Sequence, residues 1–89
     1  MIKKKLTIIN KLGLHARASM QLVNHAGRYQ SDVTIKYKDK ETDAKDIMNV
    51  MVLAASKGAE IELIISGPDE KEAMQDIEQL ICQKFGEDE

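Results

Sequence analysis

The sequence holds a single cysteine, Cys82, one proline, no tryptophan, two tyrosines and one phenylalanine in 89 residues. One thiol excludes an intramolecular disulfide and a cysteine-built metal site, and it fits a reducing compartment, so a cytoplasmic location is expected. No metal or cofactor is expected. The longest unbroken apolar run, Val50 to Ala55, is six residues, against the roughly 20 that a membrane helix needs. Membrane insertion is therefore not expected. Lys3, Lys4 and Lys5 carry the charge that opens an export signal, yet only Leu6, Thr7, Ile8 and Ile9 follow before the polar Asn10, too few for the apolar centre of such a signal. The scarcity of aromatics, with none interleaved among the lysines, and a net charge of -2 weigh against nucleic acid as a partner.

Acids are missing from one end of the chain. Residues 1–31 contain Lys3, Lys4, Lys5, Lys11, Arg17 and Arg28 but no aspartate or glutamate, whereas residues 32–89 hold the other seven basic residues and all fifteen acids. The small net charge hides this polarity, and a surface near the first segment is expected to meet an anion or an acidic partner.

The length allows one domain, residues 1–89, and 43% hydrophobic with 31% charged residues is the composition of a soluble globular chain. A chain this short buries only about 60% of its unfolded surface and leaves little room for a deep active site, so chemistry is expected at the surface. Lys4, Leu6 and Ile8 alternate with Lys5, Thr7 and Ile9 as a strand ending at Asn10, and Asn10 to Gly13 reads as a turn. From Ala16 the period changes: Ala18, Leu22 and Ala26, with Ser19 and Val23 beside them, share one side of a helix that Gly27 should cap in the left-handed conformation. Val33, Ile35 and Tyr37 form a second strand, paired as a hairpin across Asp39 and Lys40 with a short strand at Glu41 to Ala44. Asp46 should cap a short helix carrying Ile47, Val50, Met51 and Ala54, ended by Gly58. Ile61, Leu63 and Ile65 make a central strand closed by Gly67 and Pro68. Asp69 with Glu72 has capping-box spacing for a last helix carrying Ala73, Ile77, Leu80 and Ile81. The tail Gly86 to Glu89 is expected to fray. The order βαββαβα packs most simply as an α+β fold, one four-stranded antiparallel sheet with three helices on one face and water on the other.

Chemistry concentrates in Asn10 to Ser19, where His15 stands at a helix start and Arg17 in its first turn. Acids usually stabilise that turn, because the helix dipole and free N–H groups leave it positive. With a guanidinium in place of an acid, the turn lacks only an anion, and phosphate fits best. The dipole and Arg17 both favour the neutral imidazole, the nucleophilic form, which suits reversible phosphorylation of the ring. Spacing alone does not settle this, and by itself it favours a histidine that merely caps its helix, with Arg17 pointing into solvent.

Gly13-Leu14-His15-Ala16-Arg17 resembles the active-site motif of the HPr family, the histidine-containing phosphocarriers of the bacterial phosphoenolpyruvate-dependent phosphotransferase system. Lys45 to Leu53, Ala55-Ser56-Lys57-Gly58-Ala59-Glu60 and Ser66-Gly67-Pro68-Asp69-Glu70 resemble further HPr segments in the same order and spacing, so the likeness covers nearly the whole chain. The resemblance implies an open-faced β-sandwich, phosphorylation of His15 at Nδ1, and a phosphoryl group held by Arg17 and the helix start at Ala16, Arg17 and Ala18. It also implies a monomeric carrier without turnover of its own. Enzyme I, the phosphoenolpyruvate-protein phosphotransferase, would be the donor and an enzyme II A-type domain the acceptor. Ile47, Met48 and Met51, with Met20 from the first helix, match the family's partner-docking patch, although a methionine and isoleucine stripe at helical spacing also fits a core.

Two positions depart from the family pattern. Ala18 stands where proline is common, which loosens the first turn by a few tenths of a kcal/mol and removes no catalytic group. Asp46 stands where one branch of the family has a phosphorylatable serine; a carboxylate cannot accept that modification but can cap the helix. His25 matches no motif and is read as a surface side chain, and Cys82 as lying among the core residues of the last helix without a redox role. The alternatives to a carrier are a non-transferring regulatory module of the same fold and a ligand-binding ferredoxin-like plait. Within the carrier reading, sugar uptake and nitrogen-related regulation both fit.

Overall fold

The period-2 stretches form four strands, β1 (Ile2–Thr7), β2 (Asp32–Tyr37), β3 (Lys40–Asp43) and β4 (Glu60–Ser66), in a computed structural model of the chain that describes residues 1–53 and 55–87. Helices α1 (Ala16–Ala26), α2 (Ile47–Leu53) and α3 (Glu70–Cys82) connect and follow them, and a 3-10 turn at Lys84–Gly86 comes last among the described residues. Ala54, expected on the second helix, and Asp88 and Glu89 of the tail lie outside the described residues. The strands pair antiparallel in the order β1-β4-β2-β3, so β4 is hydrogen-bonded on both edges. Its inward residues Ile61, Leu63 and Ile65 join Val33 and Ile35 of β2 against Leu22, Val50, Leu53, Ile77 and Ile81 of the helices in one core. On the opposite face Glu62 lies across from Lys5 on one neighbour and Lys36 on the other. Opposite charges in adjacent cross-strand positions make that face compatible with water. The α+β fold expected from the order of elements, and implied by the resemblance as an open-faced β-sandwich, is the fold observed.

Several details differ from the local reading. Gly27 follows α1 but keeps a right-handed φ of -68°. The last carbonyls are instead satisfied by a tightened turn, with Arg28 N–H donating to His25 O and Tyr29 N–H to Ala26 O at 3.2 and 3.3 Å, so no left-handed residue is needed. Gly58 does not end α2. It sits in the turn before β4 at φ +90° and donates its N–H to Ile8 O at 2.7 Å, tying that turn to the end of β1. Cys82 is exposed rather than in the core, while Met74 is buried in its stead.

The capping box at Asp69 is not formed. Asp69 precedes α3, but its side chain makes no cap hydrogen bond. One carboxylate oxygen accepts from Ser31 Oγ at 2.5 Å and Ser31 N–H at 2.9 Å, and the other from Gln30 N–H at 2.9 Å. A tertiary partner supplying several donors outcompetes the single N–H of a local box. The Ser31 hydroxyl bond, followed by the backbone bonds, holds the Asp69 carboxyl below its ordinary range. A depressed folded pKa contributes stability that is complete above the unfolded value, near 3.9, and is lost as pH falls through the folded one. Asp69→Asn should therefore melt at a lower temperature than wild type at neutral pH, and the gap should narrow as the pH of the melts is taken below about 4.

His25 is not a free surface residue. It is half-buried, with Nδ1 2.8 Å from Asp76 Oδ1, and Tyr29 Oη donates to Asp76 Oδ2 at 2.7 Å, which ties α1 and the turn after it to α3. The bond to Asp76, and burial after it, push the Tyr29 hydroxyl up to about 12. Burial raises the Asp76 carboxyl, but the hydrogen bonds from Tyr29 and His25 and the charges of His25 and Arg28 outweigh it and leave the group below its usual range.

Candidate functional site

The approach to His15 is fixed by the backbone. Gly13 N–H donates to Asn10 O at 3.1 Å, closing the expected turn, and buried Asn10 returns its Nδ2 to Gly13 O at 2.8 Å. Gly13 has φ +65°, and a Cβ there would stand 2.6 Å from Ala55 O and 2.7 Å from Ser56 Cα. Only glycine lets the loop lie this close to the segment after α2. Leu14, buried, donates its N–H to Ala55 O at 2.8 Å and delivers the chain to His15.

His15 is the residue preceding the first turn of α1, in extended conformation. Its carbonyl accepts the Ser19 N–H at 2.8 Å, and Ser19 Oγ donates to Leu14 O at 3.1 Å, so buried Ser19 pins the motif from one turn below. Because the Ser19 bond is the first of the helix, the N–H groups of Ala16, Arg17 and Ala18 have no intrahelical acceptor. The first turn holds no acid. Arg17 is exposed, and Ala18 packs into the core.

The His15 side chain does not cap the helix. Its Nε2 lies 2.5 Å from Oε2 of Glu87, 72 residues away in the chain, while Glu87 Oε1 accepts from Asn10 Nδ2 at 3.1 Å. This overturns, as far as Glu87, the expectation that the tail frays from Gly86, and it brings to His15 an acid that residues 1–31 do not contain. Gly86 and Glu87 are held because Phe85 is buried in the core and the 3-10 turn aims Glu87 back at the motif. Desolvation raises the Glu87 carboxyl, but the hydrogen bonds from His15 and Asn10 and the charges of His15 and Arg17 bring it below its ordinary range. Sequence reasoning missed Glu87 and the role of Asn10, and no local signal could have found the pairing.

Asp46 caps α2, its Oδ1 accepting from Met48 N–H at 3.0 Å and Asn49 N–H at 3.3 Å. Val50 and Leu53 face the sheet, Ile47 is half-buried, and Met48 and Met51 point outward, Met48 with 67% of its surface exposed. Met20 on α1, which packs against α2, is exposed, as are Val52 and Leu12. Val52 lies four residues after Met48 on the same helical face, a spacing that would have identified it.

The family model described as the PTS HPr component phosphorylation site matches residues 2–83. The phosphocarrier protein HPr of Cupriavidus necator is 49% identical over 89 residues, covering all of both chains. A crystal structure of an HPr from Thermoanaerobacter tengcongensis superimposes with a TM-score of 0.96 at 37% identity over the whole of both chains. A crystal structure of an HPr dimer from the same organism gives 0.79 at 38% identity, covering 98% of this chain and all of that one. The family model covers residues 2–83, and both the sequence match and the superposition cover the whole chain, so the chain belongs to the HPr family and is a phosphocarrier of the phosphotransferase system.

Proposed function

We propose that His15 is the residue that carries the phosphoryl group, bonded through Nδ1, with Arg17 and the N–H groups of Ala16, Arg17 and Ala18 holding the phosphoryl oxygens. The observation that carries this reading is the start of α1: donors without intrahelical acceptors and no acid in the first turn, beside an imidazole whose other nitrogen is occupied by Glu87. Enzyme I, charged by phosphoenolpyruvate, is the donor, and an enzyme II A-type domain the acceptor. Residues 1–89 act as one domain, a cytoplasmic, monomeric carrier that completes no reaction cycle alone. Met20, Ile47, Met48 and Met51 form the docking patch for both partners, and Asp46 serves as a helix cap in place of a regulatory serine. A binding module that has lost transfer is not favoured, since His15 and Arg17 are both retained.

The test is to mix the chain with phosphoenolpyruvate and with enzyme I of the sugar-uptake or of the nitrogen-related branch, and to compare rates of phosphoryl uptake. Uptake from neither would overturn the proposal, and the faster donor identifies the branch. Arg17→Ala, assayed alongside, should slow transfer by about tenfold or more by removing a positioned guanidinium. Arg17 is exposed at the positive end of a helix, so the same change should leave folding stability within about 0.5 kcal/mol or raise it slightly. A variant that unfolds while transferring normally would contradict both halves.

A further inference from the structure

The last described residues are held at conformational cost. Lys84, Phe85 and Gly86 are successive left-handed residues at φ 58°, 55° and 78°, two of them bearing side chains that disfavour that region. The core anchors this turn through Phe85, which is 1% exposed. Its outcome is that the next residue, Glu87, reaches His15 Nε2 at 2.5 Å and Asn10 Nδ2 at 3.1 Å. Asn10 is fully buried, and its amide nitrogen serves Gly13 O and Glu87 together, while Oδ1 has no partner among the described residues. An amide that turns both its hydrogens to these acceptors and leaves its own oxygen unpaired is oriented for the carboxylate. Strain and an orphaned acceptor thus converge on one contact, a carboxylate placed on the histidine ring.

We infer that Glu87 is a positioning residue for phosphoryl transfer: it accepts the Nε2–H of His15, which keeps the lone pair on Nδ1 and fixes the plane of the ring. This rests on the reading of His15 as the phosphorylated residue. An ionised carboxylate only accepts, so the neutral ring must carry its proton on Nε2. In the transfer step the Nδ1 lone pair forms a bond to phosphorus as the bond between phosphorus and the donor breaks, its electron pair leaving with the donor. The ring keeps its Nε2 proton and gains a positive charge, which faces the Glu87 carboxylate. No proton is lost, and the charge on the ring disappears again when the phosphoryl group passes to the acceptor. A carboxylate behind a reacting imidazole acts in the same sense as one behind a metal-bound imidazole, where its removal slows or weakens the site by about 10- to 100-fold.

The test uses the full chain labelled with 15N, unphosphorylated, at about pH 8, above the ordinary imidazole range. The His15 ring should show Nε2 protonated and Nδ1 bare, with a downfield, slowly exchanging Nε2–H proton. Glu87→Ala should lose that proton signal, mix the two tautomers, and take up the phosphoryl group from phosphorylated enzyme I about tenfold more slowly at saturating donor. Glu87→Gln, whose amide oxygen still accepts from Nε2–H, should keep the signal and recover part of the rate. Wild-type ring signals and rate in Glu87→Ala would overturn the proposal, as would a Glu87→Gln no better than Glu87→Ala. Faster transfer by Glu87→Ala would make Glu87 a shield over the ring, and would overturn it too. Phosphoryl uptake by His15→Ala would instead overturn the functional reading, and the ring signals, which need no phosphoryl donor, would still report the contact.

Discussion

Incubated with enzyme I and phosphoenolpyruvate, His15→Ala should gain no phosphoryl group by mass, whereas the wild-type chain gains one. The expectation is total loss because the other imidazole is poorly placed for the chemistry. His25 lies in the last turn of α1, where the helix dipole is negative and repels an anion. Its Nδ1 is occupied by Asp76, and the Asp76 carboxylate would face any incoming phosphoryl group. His15 lies at the opposite, positive end of the same helix. The adduct on the wild-type chain should be labile to acid, as a phosphoramidate is. A mass gain of one phosphoryl group on His15→Ala would sink the assignment.

Met48→Asp should block partners while leaving the fold intact. Met48 points away from the core on α2, which packs against the helix that starts at His15, so an aspartate there meets water in the free protein. In a complex the same charge would have to be desolvated at an apolar contact. Transient interfaces of this kind are small and draw most of their binding energy from a few apolar anchors. The cost should be roughly 2 kcal/mol or more, about a 30-fold weaker dissociation constant. Titration with enzyme I beside a thermal melt reads both quantities. Intact binding with a collapsed melt would mean that Met48 supports the fold and that the docking patch lies elsewhere.

The order of elements was legible because its signals are local. Alternation at Val33, Ile35 and Tyr37 and at Ile61, Leu63 and Ile65 defines which strand faces are buried, and the helical spacing of Ala18, Leu22 and Ala26 does the same for α1. The cap at Asp46 was legible for the same reason, since the N–H groups it accepts from lie two and three residues on. At Asp69 the same kind of local signal failed. The residue spacing was right, but Ser31 and Gln30 offered the carboxylate more donors than its own helix could.

The acid-free first segment shows where the division falls. By itself the sequence determined that residues 1–31 carry an uncompensated positive charge and that His15 and Arg17 open a helix within it. Tertiary structure decided what answers that charge. Acids of α3 and the tail reach back across it: Glu70 to the Met1 amino group at 2.9 Å, Glu78 to Lys4 at 3.0 Å, Asp76 to His25 at 2.8 Å and Glu87 to His15 at 2.5 Å. Part of the expected acidic partner is therefore the chain's own C-terminal third. Composition and periodicity report neighbours along the chain, whereas a carboxylate pairs with whatever donor the packing of α3 and the anchoring of Phe85 bring within hydrogen-bond reach.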